Sequence, residues 1–259
     1  MPSMKKISAV VLTKNEEDRI EKCLQSLQWV DEVVVFDSGS TDKTLEIAKT
    51  FDNVKVFVEP GWEGFGKQRQ ISKNVATGEW IFMVDADEII PDALRDEIKT
   101  KLTNDNLNKA YAIPRKVWVF GKLLKYCWYP DYVVRLYAKE KSHYKSEDLV
   151  HEKVYLDNEI KVKKLTNPLL HFTYRDLDHF FEKSNVYTKA WAEKYFRAGK
   201  RTNLFQAVWH ATCCFIKNYF VKLGFLDGKY GFLIAVLCAH STFSKYACLL
   251  VKQWQKDRS

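Results

Sequence analysis

The sequence predicts an α/β fold: a doubly wound, Rossmann-like, mostly parallel sheet followed by a helical, basic C-terminal region. Three observations lead there. Short, continuous runs of β-branched and other apolar residues alternate with amphipathic stretches through roughly the first 90 residues, as expected of strands buried on both faces with helices between them. Each run ends in a polar or acidic turn. The charge is also split: residues 181–259 hold 13 Lys and Arg against 4 Asp and Glu, a net of +9, so the overall +8 belongs to the last third.

The elements follow in order. Ile7 to Leu12 (ISAVVL) reads as a buried strand, and Asn15 is placed to cap an acidic helix start. Ile20, Cys23, Leu24 and Leu27 recur at helical spacing. Val33 to Phe36 is a second strand ending in Asp37, Leu45 and Ala48 continue a helical pattern, and Val54 to Val58 is a third strand. Gly61, Gly64 and Gly66 lead into a basic helix over Lys67 to Ala76 that carries Arg69 and Lys73, and Trp80 to Val84 is a further strand ending in Asp85-Ala86-Asp87-Glu88.

Ligands of open α/β sheets sit beyond the carboxyl ends of the strands. Three strands end there in Thr13 and Asn15, in Asp37 and Asp42, and in Asp85 and Asp87. Asp37 can accept a ribose hydroxyl or a base N–H, or it can cap the following turn. Asp85 and Asp87 are two apart, so an extended backbone would turn both carboxylates to one side. Paired carboxylates need a cation or a proton between them, and Mg²⁺ usually takes one or two carboxylates together with substrate phosphates.

These residues carry a resemblance. SAVVLTKNEEDRIEKCLQSL, EVVVFDSGSTDKT and GKQRQISKNVATGEWIFMVDADE resemble the nucleotide-sugar domain of family 2 glycosyltransferases of the GT-A fold. WYPDYVVRLYAKEK, LVHEKV and LLHFTYRDLDHFFEKSNVYTKAWA are similar to a narrower branch that builds bacterial lipopolysaccharide and lipooligosaccharide cores, including β-1,4-glucosyltransferases acting on inner-core heptose. The resemblance implies a GT-A domain over 1–178, with a donor half to about residue 90 and an acceptor half after it, then a basic helical region over 179–259. It implies a UDP-sugar donor and a divalent metal, Mg²⁺ or Mn²⁺. Asp37 would hold the uridine with Thr13 and Glu16 nearby, and Arg69 would lie near the donor, although Gln70 and Ser72 depart from the usual Arg-Asn and Gly. Asp85 and Asp87 match the Asp-x-Asp motif, with Asp87 the better metal ligand. His171 would complete the metal site, and Glu152 would be the catalytic base.

The residues alone leave alternatives. Glu147 and Asp148 compete with Glu152 as base, since sequence does not show which carboxylate reaches the acceptor hydroxyl. His151 and His171 can each be a metal ligand or a hydrogen-bonded core histidine. Pro130-Asp131 and Arg135 can shape an acceptor site, or Asp131 and Arg135 can simply pair. Transfer to polyprenyl phosphate or to a peptide side chain is chemically open to the same fold.

Composition narrows the classes. At 46 % apolar and 29 % charged residues, with 10 Gly and 6 Pro, the chain is neither disordered nor collagen-like. The early apolar stretch passes directly into charged residues, so export is not expected. No uninterrupted apolar run approaches the length of a spanning helix; the longest is Gly231 to Ala239. The six cysteines lack paired-ligand spacing and are expected as buried free thiols. No nucleic-acid-binding motif accompanies the basic, aromatic last third. It is expected instead to pack partly as core and to attach peripherally to an anionic inner-leaflet surface on the cytoplasmic side, where a glycolipid acceptor would be found.

Overall fold

The computed structural model describes residues 5–61, 64–103, 107–145 and 153–258. Two compact units emerge: residues 1–115 with 131–171, and residues 116–130 with 172–259. The division differs from the expected break at 178 in two places. The C-terminal unit starts at 172, and it takes in 116–130, because Val117, Val119, Leu124 and Cys127 share a core with Phe180, Ile234 and Leu237.

The first unit begins with β1 (Ile7–Thr13), α1 (Ile20–Gln25), β2 (Glu32–Asp37), α2 (Thr44–Ala48), β3 (Val54–Val58), α3 (Phe65–Val75) and β4 (Trp80–Asp85). β5 (Glu88–Ile89), α4 (Asp92–Leu102) and β6 (Lys109–Val119) follow, and β6 runs on past Arg115 into the second unit, where β7 (Lys122–Leu123) pairs with its end. Next come β8 (Asp131–Ala138), β9 (Ser142–His143), β10 (Tyr155–Leu156), β11 (Lys161–Lys164) and β12 (Leu169–Tyr174). The sheet order is β3-β2-β1-β4-β8-β6-β12-β5. Its first four strands are parallel, as the β-branched runs predict, and β8 joins β4 antiparallel. Val10, Val34, Ile81 and Met83 pack on one face of the sheet, and Val11, Val35, Phe82 and Val84 on the other with α1 and α4. β11 is exposed along its whole length and carries three lysines, a charge pattern that discourages pairing with another chain.

Asn15 does not cap α1. It lies at φ 55°, and its Oδ1 accepts the Thr41 N–H at 2.8 Å. The chain makes a turn there and the helix starts only at Ile20. Asn15 thereby ties the tip of β1 to the turn after β2.

At the opposite end of these strands lies a cavity of about 240 Å³, bordered by Lys6, Ser8, Asp31, Glu32, Lys55 and Thr77 among others. Its polar groups are engaged with one another. Glu32 Oε2 accepts from Ser8 Oγ at 2.5 Å and from Thr77 N at 2.8 Å, and Oε1 accepts from Lys55 Nζ at 2.7 Å. Burial pushes the Glu32 carboxyl up, but the bonds from Lys55, Ser8 and Thr77 win and bring it from 4.5 down to about 2. A folded value below the unfolded one stabilises the protein above about pH 4.5, and that contribution is lost as pH falls towards 2. Glu32→Gln is expected to cost on the order of 2–3 kcal/mol at neutral pH. In urea melts at successive pH values the gap between wild type and variant should close on acidification; a gap independent of pH would refute the assignment.

The second unit is helical: α5 (Leu177–Arg197), α6 (Leu204–Ile216) and α7 (Lys229–Lys256). A π-helical turn over Lys217–Val221 and a 3₁₀ turn over Gly224–Asp227 join α6 to α7. Asp176 and Asn203 cap α5 and α6, accepting the His179 and Gln206 N–H groups. The expected nine-residue apolar run is only part of α7, which is long and apolar enough, by length and composition, to cross a membrane. His240, Ser241, Thr242 and Ser244 interrupt the run without making the helix polar. The cysteine expectation is corrected as well: all six are free, but only Cys23 and Cys127 are buried, and Cys213 is exposed.

Candidate active site

Strand register builds the site. Thr13 lies beside Asp37, and Leu12 beside Asp85. With adjacent strands about 4.8 Å apart, the tips of β2, β1 and β4 place Asp37, Thr13 and Asp85 along one sheet edge. The expected convergence of strand ends is therefore present in the first unit.

Asp37 is fully buried and caps the turn that follows β2. Its Oδ1 accepts the Gly39 and Ser40 N–H groups at 2.9 and 2.7 Å, and its Oδ2 accepts the Ser40 hydroxyl at 2.5 Å. The Thr13 hydroxyl is buried without a hydrogen-bond partner among the described residues. The Glu16 N–H donates to Thr44 Oγ1 at 2.8 Å, fastening the segment after β1 against α2.

Asp85 and Asp87 part company. Residues 86 and 87 form a turn between β4 and β5, so the two carboxylates do not project together from an extended backbone. Asp85 Oδ1 accepts from Arg69 Nη2 at 2.8 Å, and its Oδ2 accepts from Arg135 Nη2. Burial opposes ionisation of Asp85, but Arg135 and Arg69 outweigh it and hold the carboxyl well below the usual range. Arg135 also donates to Glu88 Oε1 at 2.6 Å, while Glu88 Oε2 accepts the Asp85 N–H at 2.9 Å. Burial raises the Glu88 carboxyl; Arg135 counteracts this and the neighbouring Asp85 adds to it.

Asp87 faces another set. Its Oδ2 lies 3.4 Å from His171 Nε2 and 3.6 Å from Arg19 Nη1. His171 is brought there by β12, where it pairs in register with Glu88 of β5. Arg69 lies on α3 where the sequence places it, but bound to Asp85. Arg135 does not pair with Asp131, whose carboxylate is taken by Arg115 at 2.5 and 3.0 Å. Glu152, His151, Glu147 and Asp148 lie outside the described residues.

Sequence reasoning missed Arg19 and Glu88, and it left Arg135 without its real partners. Arg19 follows the acidic turn after β1, and its only sequence signal was its place in the first motif. Glu88 directly follows the Asp-x-Asp motif, but its burial depends on Arg135, which lies 47 residues later.

A parallel sheet extended by antiparallel strands, with carboxylates and a histidine at its strand ends, defines a GT-A glycosyltransferase fold. The chain belongs to glycosyl transferase family 2, whose model matches residues 8–145, and it is a glycosyltransferase of that family. It is 29 % identical over 256 residues to the uncharacterized glycosyltransferase RP128 of Rickettsia prowazekii (strain Madrid E), covering 95 % of this chain and 87 % of the relative. It is 27 % identical over 257 residues to the lipopolysaccharide core biosynthesis glycosyltransferase LpsC of Rhizobium meliloti (strain 1021), covering 93 % of each. The crystal structure of S. aureus TarS 1–349 in complex with UDP-GlcNAc superimposes with a TM-score of 0.50 at 17 % identity, covering 97 % of this chain and 92 % of that one.

Proposed function

We propose that the protein transfers a hexose, glucose, from a UDP-sugar to a hydroxyl of an inner-core lipopolysaccharide or lipooligosaccharide sugar, heptose, with inversion and with the aid of a divalent metal. The observation that carries this reading is the pairing of Asp87 with His171 at 3.4 Å beside the strand tips that hold Thr13, Asp37 and Asp85. The match to LpsC along nearly the whole chain supports the class of acceptor.

The uridine is received by Asp37, Thr13 and Glu16. Asp37 Oδ2 keeps a lone pair beyond the one taken by Ser40 for a base N–H, and the unpartnered Thr13 hydroxyl is free to gain a bond. Asp87 and His171 are a fitting donor set for Mg²⁺ or Mn²⁺, one oxygen and one nitrogen, with the remaining positions left to the diphosphate. Asp87 and His171 would hold the cation where it would supply charge to offset that developing on the departing diphosphate. Asp85 spends both oxygens on Arg69 and Arg135, so it contributes to the metal site as an anchor for its frame, and Arg69 is held beside the donor. Glu152 takes the proton of the acceptor hydroxyl as that oxygen bonds to the anomeric carbon and the bond to the diphosphate breaks. Attack from the face opposite the leaving group turns an α-linked donor into a β-glycoside.

The protein works on the cytoplasmic face of the inner membrane, attached peripherally, with its basic last third against anionic lipid. The test combines UDP-glucose, UDP-galactose and UDP-N-acetylhexosamines with defined truncated core glycolipids, polyprenyl phosphate and peptides, with and without divalent metal. UDP-glucose and a heptose-terminated core should give product only with metal, and Glu152→Gln should still bind UDP while losing about 10²–10⁴-fold in turnover. Product from polyprenyl phosphate or peptide alone would overturn the acceptor. Full activity of Glu152→Gln would move the base elsewhere.

A further inference from the structure

The helical unit displays more apolar surface than its own packing accounts for. No Asp, Glu, Lys or Arg occurs over residues 203–216, yet α6 is largely exposed. Phe205, Trp209, Ile216 and Phe220 recur at roughly helical spacing along one stripe and are 45–75 % exposed. The stripe runs on into the corner before α7, where Val221, Phe225 and Leu226 are also exposed. Contiguous apolar surface on this scale marks an interaction site.

The corner is a built feature. A Cβ on Gly231 would collide with the Gly224 carbonyl oxygen, and one on Gly224 with that of Asn218, so only glycine lets these turns close. The buried Asp227 carboxylate accepts the N–H groups of Lys125, Tyr126 and Cys127 at 2.8–3.0 Å. The exposed apolar side chains therefore stand on a fixed frame. All three exposed charges of the corner are lysines: Lys217, Lys222 and Lys229.

We infer that the α6 stripe and the α6–α7 corner insert into the boundary between headgroups and acyl chains of an anionic bilayer, with Lys217, Lys222 and Lys229 reaching back to lipid phosphates. The inference rests on the peripheral attachment proposed above and is independent of donor and acceptor. It replaces adsorption by charge with anchoring by apolar burial. Aromatic and aliphatic residues below a rim of lysines are the composition of an in-plane amphipathic helix. A second copy is a poorer occupant, because a two-fold contact across this corner would set lysines against lysines. Spanning by α7 is also disfavoured. α7 bonds along α5, through Ser241 to Ser184 at 2.7 Å and Lys252 to Glu193 at 2.8 Å, and α5 is charged through its middle, which a bilayer core penalises.

The test is co-sedimentation of the full chain with phosphatidylglycerol–phosphatidylethanolamine vesicles at about 0.1 M and about 1 M NaCl, where the screening length falls to about 3 Å. Insertion predicts that most of the bound protein stays bound at high salt. Trp209→Ser/Phe220→Ser/Phe225→Ser should lower high-salt binding at least about tenfold while keeping the wild-type thermal melt. Should that variant fold poorly, quenching by brominated acyl chains, compared between wild type and Trp209→Phe, reads the depth of Trp209 directly. Release of the wild type by high salt would overturn insertion and leave attachment by charge standing. Failure to bind at either salt would overturn both. A soluble dimer lost in the triple variant, without quenching at Trp209, would assign the surface to self-association.

Discussion

Asp87→Ala is expected to lower metal-dependent turnover by about 10²–10³-fold or more, with the fold intact. The carboxylate is the site's best-placed oxygen donor for a cation, since both Asp85 oxygens are already held by guanidinium groups. Its loss leaves His171 as a single nitrogen donor, too little to fix a hard cation against diphosphate. The structural consequence is small by comparison. Arg19 retains Asp18 at 3.7 Å, and Asp85 keeps its bonds to Arg69 and Arg135. Titration of Mn²⁺ against initial rate, with a thermal melt of the same preparation, separates the two effects. A variant with normal turnover would remove Asp87 and His171 from the metal site, and one that fails to fold would make Asp87 structural.

The divergence of Asp85 and Asp87 shows what was legible in the chain and what was not. Continuous β-branched runs identify strands buried on both faces, and that fixes where their ends must gather, so Thr13, Asp37 and Asp85 were readable as neighbours. The turn over residues 86 and 87 was not, because Ala86-Asp87 carries no glycine or proline to announce it. An extended reading put both carboxylates on one side, whereas the backbone turns there, with Asp85 on Arg69 and Arg135 and Asp87 beside His171 and Arg19. Asn15 shows the same limit. Its residue type suits a helix cap, but a tertiary bond to Thr41 fixes its left-handed backbone. Asp37 was readable both as a ligand group and as a turn cap, and only the folded turn brings Ser40 and Gly39 onto it.

Long-range pairing was the least accessible level. Arg135 reaches Asp85 across 50 residues through an antiparallel strand, and its nearest acidic neighbour in sequence, Asp131, is a false lead because Arg115 takes it. The C-terminal aromatics erred the other way. Helical spacing of Phe205, Trp209, Phe215 and Phe220 fits a core stripe as well as an external one. Phe180 is buried as expected, but Phe205, Trp209 and Phe220 face outward. Periodicity identifies a face and does not say what covers it.

Arg135→Met should be the most destabilising single change at the site. Arg135 is buried and bridges two carboxylates, the half-buried Asp85 and the buried Glu88, that would otherwise repel each other. Both carboxylates raise its guanidinium further above its usual value despite burial. Removing one partner of a buried network leaves charge uncompensated and costs about 3–5 kcal/mol, a fall in Tm of roughly 6–20 °C for a protein of this size. Arg69 still holds one Asp85 oxygen, so the unpaired burden falls mainly on Glu88. Arg135→Met/Glu88→Gln should therefore recover part of the loss, because glutamine removes the charge and still accepts the Asp85 N–H. The pH dependence has a definite sign. Without Arg135 the Glu88 carboxyl is pushed further above its unfolded value, so the deficit grows as pH rises and shrinks towards about pH 4 as Glu88 takes up a proton. Urea unfolding of the wild type, the single variant and the double variant across that range tests all three statements. If Arg135→Met unfolds within about 1 kcal/mol of wild type at neutral pH, the bridge is not what holds the Asp-x-Asp turn in place, and Arg69 alone must orient Asp85.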